Sequence, residues 1–258
     1  VKIVVLVKEV PDTYGDRVLN METGLADRGA SETVIDEIGE RALEVALTHA
    51  ESTPGTEVVV MSMAPESAAT SVRKALAMGA ASAVHIADDT LRGADLTLSA
   101  EVLAAALTRT GFDLVITGNQ STDGSGGVMA SMLSELLDVP GVTSLNSVAI
   151  TDGAVSGERA IDGGTMDAAA SLPAVISITE RLPDARFPNF KGIMAAKKKP
   201  VEVLTLADLE INPEDFSVPR AIMTAISEKP PRSSGTTITD EGDAGEKLAA
   251  YLIENRLV

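Results

Sequence analysis

Between Val1 and about Glu180 the chain switches repeatedly between two hydrophobic periods, and this limits its possible folds more than any other feature. Short, nearly all-apolar runs recur at Lys2–Val7, Val58–Ser62, Ala83–Ile86, Leu114–Thr117 and Val142–Ile150. Between them lie Ala/Leu/Glu-rich stretches with helical spacing, at Asp36–Ala50, Glu66–Met78, Asp95–Arg109 and Val128–Leu137. In the first of these, Ile38, Ala42, Val45, Ala46 and His49 or Ala50 share one helix face. A strand apolar at nearly every position must be covered on both sides, which is the condition of a parallel sheet with helical crossovers. The pattern predicts an α/β fold: a doubly wound, mostly parallel, Rossmann-like sheet.

Composition removes several classes of function. Aromatic residues make up 2% of the 258, with no Trp, which argues against stacking platforms for bases or sugars. The net charge of −17 is opposite to the basic balance of a nucleic-acid-binding protein. Cysteine is absent, which excludes disulfides, iron–sulfur clusters and zinc-thiolate sites. The only histidines, His49 and His85, cannot form a three-histidine metal centre. No metal site is expected. Neither a nucleophile elbow nor a recognisable pair of carboxylates is visible, so no catalytic residue is assigned. No apolar run approaches the ~18 residues of a membrane span, and no cleavage site follows the opening VKIVVLVKEV. A soluble, cytoplasmic protein without membrane insertion is expected.

The character changes after Ala170, beyond which eight of the twelve prolines lie. Proline removes a backbone donor and interrupts regular elements. Two regions are therefore expected: residues 1–180 as the α/β domain, and 181–258 as a loop and extended arm. Ser233–Gly245 reads as a linker and Glu246–Asn255 as a short terminal helix. The arm carries Val201, Val203, Leu204, Phe216, Val218 and Ile222. These residues either fold back on their own domain or bury themselves on a partner.

Three segments carry candidate chemistry. In Asp113–Pro140 a strand runs into Gly118, a polar Gly-rich loop and then a helix. Gly124, Gly126 and Gly127, with Ser121, Thr122 and Ser125, cluster before that helix, an arrangement suited to a phosphate at the carboxyl edge of a parallel strand. The Lys-Ser/Thr pair of a P-loop is missing; the alternative is an ordinary connector. Lys8, at the end of the first strand, faces the ligand crevice or is a solvated strand end. Arg181–Lys199 is a basic island containing Phe187 and Phe190, either an interaction anchor or a solvated charge run.

Together these segments resemble the β subunit of electron-transfer flavoproteins, over nearly the whole chain. The specific stretches are Glu158–Lys199, with Arg159-Ala160-Ile161-Asp162-Gly163-Gly164, Leu172-Pro173-Ala174-Val175 and the Ile193–Lys199 run, followed by Val7–Asp12, Arg73–Ala80 and Gly118–Pro140. The resemblance implies a non-enzymatic electron carrier, active in fatty-acid β-oxidation. An α subunit would hold most of a redox FAD and this chain would hold a structural AMP. Electrons would pass from acyl-CoA dehydrogenase-type donors to a membrane quinone oxidoreductase. The resemblance puts AMP against Leu6, Thr33, Val34, Ile35, Asp36, Met63, Gly118, Ser121, Asp123, Gly124, Ser125, Gly126, Gly127, Val128 and Met129. It puts partner recognition on Phe187, Phe190, Lys191, Ile193, Met194, Lys197, Lys198 and Lys199, with Phe190 as apolar anchor, and lets the arm pack on the α subunit. Thr33-Val34 stands where the family often has Asn-Pro, and the loop is richer in glycine. Ala160 replaces a glutamate that, in the resembling proteins, pairs with an α-subunit arginine. The alternatives are a bifurcating complex with a second FAD in place of AMP, or a nucleotide-sensing α/β domain.

Overall fold

The computed structural model describes residues 1–258 except Asp16, Phe216 and Ser233. Contacts divide the chain into two units, Val1–Thr224 and Ala225–Val258. The first contains β1 (Lys2–Leu6), β2 (Glu9–Pro11), β3 (Thr33–Ile35), α1 (Glu37–Ser52), β4 (Glu57–Met63), α2 (Ala69–Met78), β5 (Ser82–Ile86), α3 (Leu96–Thr110) and β6 (Leu114–Gly118). It continues through α4 (Met129–Leu136), β7 (Gly141–Leu145), β8 (Ala149–Thr151), β9 (Ala154–Ile161), β10 (Gly164–Ser171), β11 (Ala174–Ile178), α5 (Phe190–Ala196) and β12 (Val201–Leu204). The second unit holds one helix, α6 (Ala244–Glu254).

The main sheet runs β10-β9-β7-β11-β6-β1-β4-β5-β12, with β8 beside β9. From β7 to β12 every neighbouring pair is parallel; β8, β9 and β10 extend it by antiparallel pairing. This is the doubly wound, mostly parallel α/β sheet that the alternating pattern predicts.

The apolar runs divide residue by residue between the two faces, because successive strand side chains point to opposite sides. Ile3, Val5, Val58, Val60, Leu114, Ile116 and Ile176 join one core cluster, with Leu43 of α1 and Leu76 of α2. Val4, Val59, Met61, Val115 and Val175 join the other, with Val102 and Leu107 of α3 and Leu133 of α4. Asp36 caps α1 by accepting from Ile38 N–H, and Asp95 caps α3 by accepting from Leu98 N–H. Among the described residues no helix is long and apolar enough to cross a membrane.

Two regions depart from the sequence reading. The run expected as one strand, Val142–Ile150, is two, β7 and β8, and the region after it is a meander of β8, β9 and β10. Both turns of this meander are Asp-Gly pairs, Asp152-Gly153 and Asp162-Gly163, with each glycine at φ 82°. Two-residue hairpin turns need that left-handed backbone, which Gly adopts without a Cβ clash. The segment after Glu180 also joins the first unit as far as Thr224. β12 pairs with β5 at the sheet edge, burying Leu204 and half-burying Val201. Val203 and Ile222 are exposed, Val218 is half-buried, and Phe216 lies outside the described residues. Ser233, the first residue of the expected linker, also lies outside them, and the terminal helix starts two residues earlier than expected.

Ile116 is fully buried at the centre of β6. Ile116→Ala should cost about 2–5 kcal/mol of stability. Gly153→Ala should cost only about 1–2 kcal/mol, since a Cβ meets no atom there and the penalty is backbone strain alone. Urea denaturation followed by circular dichroism ranks the two.

Candidate functional site

The crevice lies at the carboxyl ends of β1 and β6. β4 and β5 build outward from β1 on one side, and β11 and β7 from β6 on the other. Open α/β sheets bind ligands at such a reversal of strand order.

β6 ends at Gly118, where a Cβ would stand 2.9 Å from Ile38 Cγ2 of α1, so that α1 packs closely against the strand end. The loop that follows turns twice through left-handed backbone, at Ser125 (φ 50°) and Gly127 (φ 67°). Ser125 N–H donates to Ser121 C=O at 2.9 Å, closing the first turn. The N–H groups of Gly126, Gly127, Val128 and Met129 donate no hydrogen bond among the described residues, and no side chain caps α4. Four unpaired donors at the positive end of a helix suit an anion. Asn119 contributes a buried Oδ1 with no partner, a residue that sequence reasoning passed over.

Asp36 joins the loop to α1. Its side chain is buried, with Oδ1 accepting from Ile38 N–H at 3.2 Å. Its Oδ2 accepts from Thr122 N–H at 2.7 Å and Thr122 Oγ1 at 2.9 Å. Thr33 and Val34 stand just before it in β3, which pairs with β2, and Ile35 is buried in the first core cluster. Leu6 and Met63, at the ends of β1 and β4, pack half-buried against the second cluster. Of the residues assigned to a nucleotide, those of the loop, Asp36, Leu6 and Met63 therefore stand at the carboxyl edge of the sheet. Thr33, Val34 and Ile35 lie in β3, which pairs with β2 outside the main sheet.

Asp123 bonds Lys8 Nζ through Oδ1 at 2.7 Å and Arg28 Nη2 through Oδ2 at 3.0 Å. Lys8 Nζ also donates to Ser121 Oγ at 3.3 Å, so Lys8 turns to the crevice. Burial by itself would push the Asp123 carboxyl up. The hydrogen bond and charge of Lys8, with Ser121 and Gly124 N–H, outweigh that and hold it far below the usual carboxylate range. Arg28 and Arg17, which bonds the Thr122 carbonyl, were not singled out in the sequence. They come from the long excursion between β2 and β3, about a hundred residues away along the chain, and no local motif marks them.

The basic island is riveted to α1 and α2. Arg186 grips both oxygens of Glu44, Nε and Nη2 each at 2.8 Å, and also pairs with Glu51. These bonds hold the Glu44 carboxyl below its ordinary range. Arg41 bonds the Leu182 carbonyl and pairs with Asp184. Arg73 Nη1 donates to the Ala196 and Lys199 carbonyls at 2.9 Å each. Gly192 lets α5 lie on the end of α2, where a Cβ would collide with the Ala77 carbonyl. Lys199 differs from its neighbours: its ammonium donates to Leu76 C=O at 2.9 Å and Ala80 C=O at 2.6 Å, and burial lowers its pKa. Lys191, Lys197 and Lys198 form no ion pair among the described residues. Phe187 is 91% exposed and Phe190 79%, with Ile193 and Met194 partly exposed beside them.

Fold and site define a doubly wound α/β protein with unpaired backbone donors at its central crevice and an aromatic ridge on a braced helix. Comparison with known proteins gives the family. The family model described as "Electron transfer flavoprotein domain" matches residues 23–209. The electron transfer flavoprotein subunits beta of Mycobacterium bovis and Mycobacterium tuberculosis are each 44% identical over 263 residues, covering 99% of both chains. The Caffeyl-CoA reductase-Etf complex subunit CarD of Acetobacterium woodii is 30% identical over 256 residues, covering 98% of this chain and 96% of that one. This chain belongs to the electron transfer flavoprotein family, as a member of its β-subunit group.

The Asp123 geometry yields a pH prediction. A carboxyl whose folded pKa lies below its unfolded value, about 3.9, stabilises the fold fully above that value. The contribution is lost as pH falls through the folded pKa. Asp123→Asn should therefore cost about 1–3 kcal/mol at neutral pH. That difference from the parent should hold from pH 8 down to about 4 and shrink only below it. Denaturation midpoints of both proteins across that range check the sign.

Proposed function

We propose that this chain is one half of a two-subunit electron carrier. An α subunit binds most of an FAD, and this chain holds AMP in the crevice between β1 and β6. The carrier accepts electrons from acyl-CoA dehydrogenase-type enzymes and hands them to a membrane quinone oxidoreductase, working from the cytoplasm. The observation that carries the AMP reading is the row of unpaired amides from Gly126 to Met129. A phosphate there would receive backbone hydrogen bonds at a helix N-terminus, and Asn119 Oδ1 is left to accept from the nucleotide. A Cβ at Gly126 would already be in van der Waals contact with Leu96, so the further methyls of a valine would crowd that side chain and press on the loop.

The flavin supplies the redox chemistry when bound. This chain's part is to complete the assembly and to present the ridge. Phe187 and Phe190 offer apolar surface to a donor dehydrogenase, and Lys191, Lys197 and Lys198 attract an acidic partner over the range that salt permits. Lys199, spent on α2, contributes bracing in place of steering. Ala160 offers no side-chain partner to an α subunit, so the β9–β10 hairpin would meet one through backbone and neighbouring side chains.

Nucleotide extraction from the co-purified heterodimer tests the AMP reading. One colourless AMP beside one flavin is expected, and two flavins without AMP would replace the reading with the second-flavin alternative. Gly126→Val should lower AMP content severalfold, while Ser125→Ala, which removes only a hydroxyl, should leave it near one.

Docking is tested on the ridge. Burying one phenylalanine side chain is worth roughly 1.5–3 kcal/mol. Phe190→Ala should therefore raise the carrier concentration needed for half-maximal reduction by about 10- to 100-fold. Flavin and AMP content should stay unchanged. An identical concentration dependence would move the anchor off Phe190.

A further inference from the structure

In a chain of net charge −17, three cations converge on three consecutive residues of one loop. Lys8 reaches Ser121 and Asp123, Arg17 reaches the Thr122 carbonyl, and Arg28 reaches Asp123. Lys8 comes from the end of β1, the two arginines from the excursion between β2 and β3. None belongs to the loop that they hold.

Asp36, Asp12 and Asp27 accept hydrogen bonds from backbone amides and, among the described residues, form none with these three cations. Asp36 is bound by the amides of Ile38 and Thr122. Asp12 and Asp27 accept from the amides of Tyr14 and Gly29 within their own turns. Arg28 is fixed at both ends of its fork, with Nη1 donating to Glu9 C=O at 3.0 Å and Nη2 to Asp123.

Asp123 poses a problem for any anion in this crevice. A carboxylate three residues before Gly126 would repel a phosphate placed on the unpaired amides of Gly126 to Met129. On the loop itself the three cations contribute +3 against −2 from Asp123 and Asp36, the two carboxylates that bond it. We propose that Lys8, Arg17 and Arg28 form a cationic collar that cancels Asp123 and sets the affinity of this crevice for the phosphate of its nucleotide. This rests on the nucleotide reading given above. Arg28 and Lys8 are positioning residues: they act through Asp123 and through the potential at the loop. The collar favours ligands by their phosphate, whatever their base.

The test uses the full heterodimer, stripped of nucleotide and titrated in parallel with AMP and with adenosine, which lacks the phosphate. Loss of one charge-assisted contact corresponds to roughly a 10- to 100-fold change in affinity. In Arg28→Gln and Lys8→Gln the AMP dissociation constant should rise by that factor, with adenosine moving less than about twofold. The AMP constant should also depend less steeply on salt. Adding Asp123→Asn to Arg28→Gln should recover most of the AMP affinity, because the charge to be cancelled is gone. Unchanged AMP affinity in both single variants would overturn the collar. Equal losses for AMP and adenosine would overturn it too, by showing that the variants only deform the crevice. An unmodified heterodimer that binds no AMP would instead defeat the nucleotide reading itself.

Discussion

The pairing of β1 with β6 is the constraint on which the rest depends. Ile3, Val4 and Val5 lie opposite Leu114, Val115 and Ile116 in parallel register. The chain reaches this pairing only after it has built β4 and β5 on the far side of β1. The two strands therefore lead to helices on opposite faces of the sheet, α1 in the first cluster and α4 in the second, with one gap between them. Everything at the site descends from that divergence. Lys8 leaves β1 toward the gap, the glycine loop leaves β6 toward it, and Asp36 bonds one flank to the other. A parallel sheet has to be wrapped on both faces, and α1 and α3 do so while leaving the carboxyl edge open between them.

The fold was largely legible because its strands are buried on both sides. Apolarity at every position of Ile3–Val5, Val58–Met61 and Leu114–Ile116 leaves few other ways to satisfy the backbone. The β8–β9–β10 meander is hard to read because Gly164-Thr165-Met166-Asp167 breaks the apolar pattern and Ala168-Ala169-Ala170 lacks the β-branched and aromatic residues that mark a strand. Its record in the sequence is two Asp-Gly pairs, a local turn signal that hydrophobic periodicity does not register. β12 was hidden by a proline-rich setting that reads as extended chain. At the sheet edge an extended segment is what β5 needs for a neighbour.

At the site, the loop could be read directly, because unpaired amides before a helix follow from glycine spacing. Of the cations around it, Lys8 could be placed at the crevice from its position after the first strand, but the two arginines could not. Arg17 and Arg28 act across long sequence separations, and a lone arginine in a polar excursion looks the same whether it meets solvent or a buried carboxylate. The basic island was likewise readable as a cluster but not residue by residue. Arg186 and Lys199, which look equivalent to Lys191 and Lys197 in the sequence, are consumed by Glu44, Glu51 and the carbonyls at the end of α2.

That consumption has a kinetic meaning. A ridge held by Arg186, Arg73, Lys199 and the Gly192 contact carries its shape before any encounter, so little chain entropy remains to be lost on contact. On the docking reading proposed above, a partner would be recognised through a small apolar patch and released soon afterward. The complex lifetime would then be set by a few side chains and not by the refolding of a loop. For a carrier of the kind proposed above, which would meet one protein, leave it and meet another, such brief residence is as necessary as recognition itself.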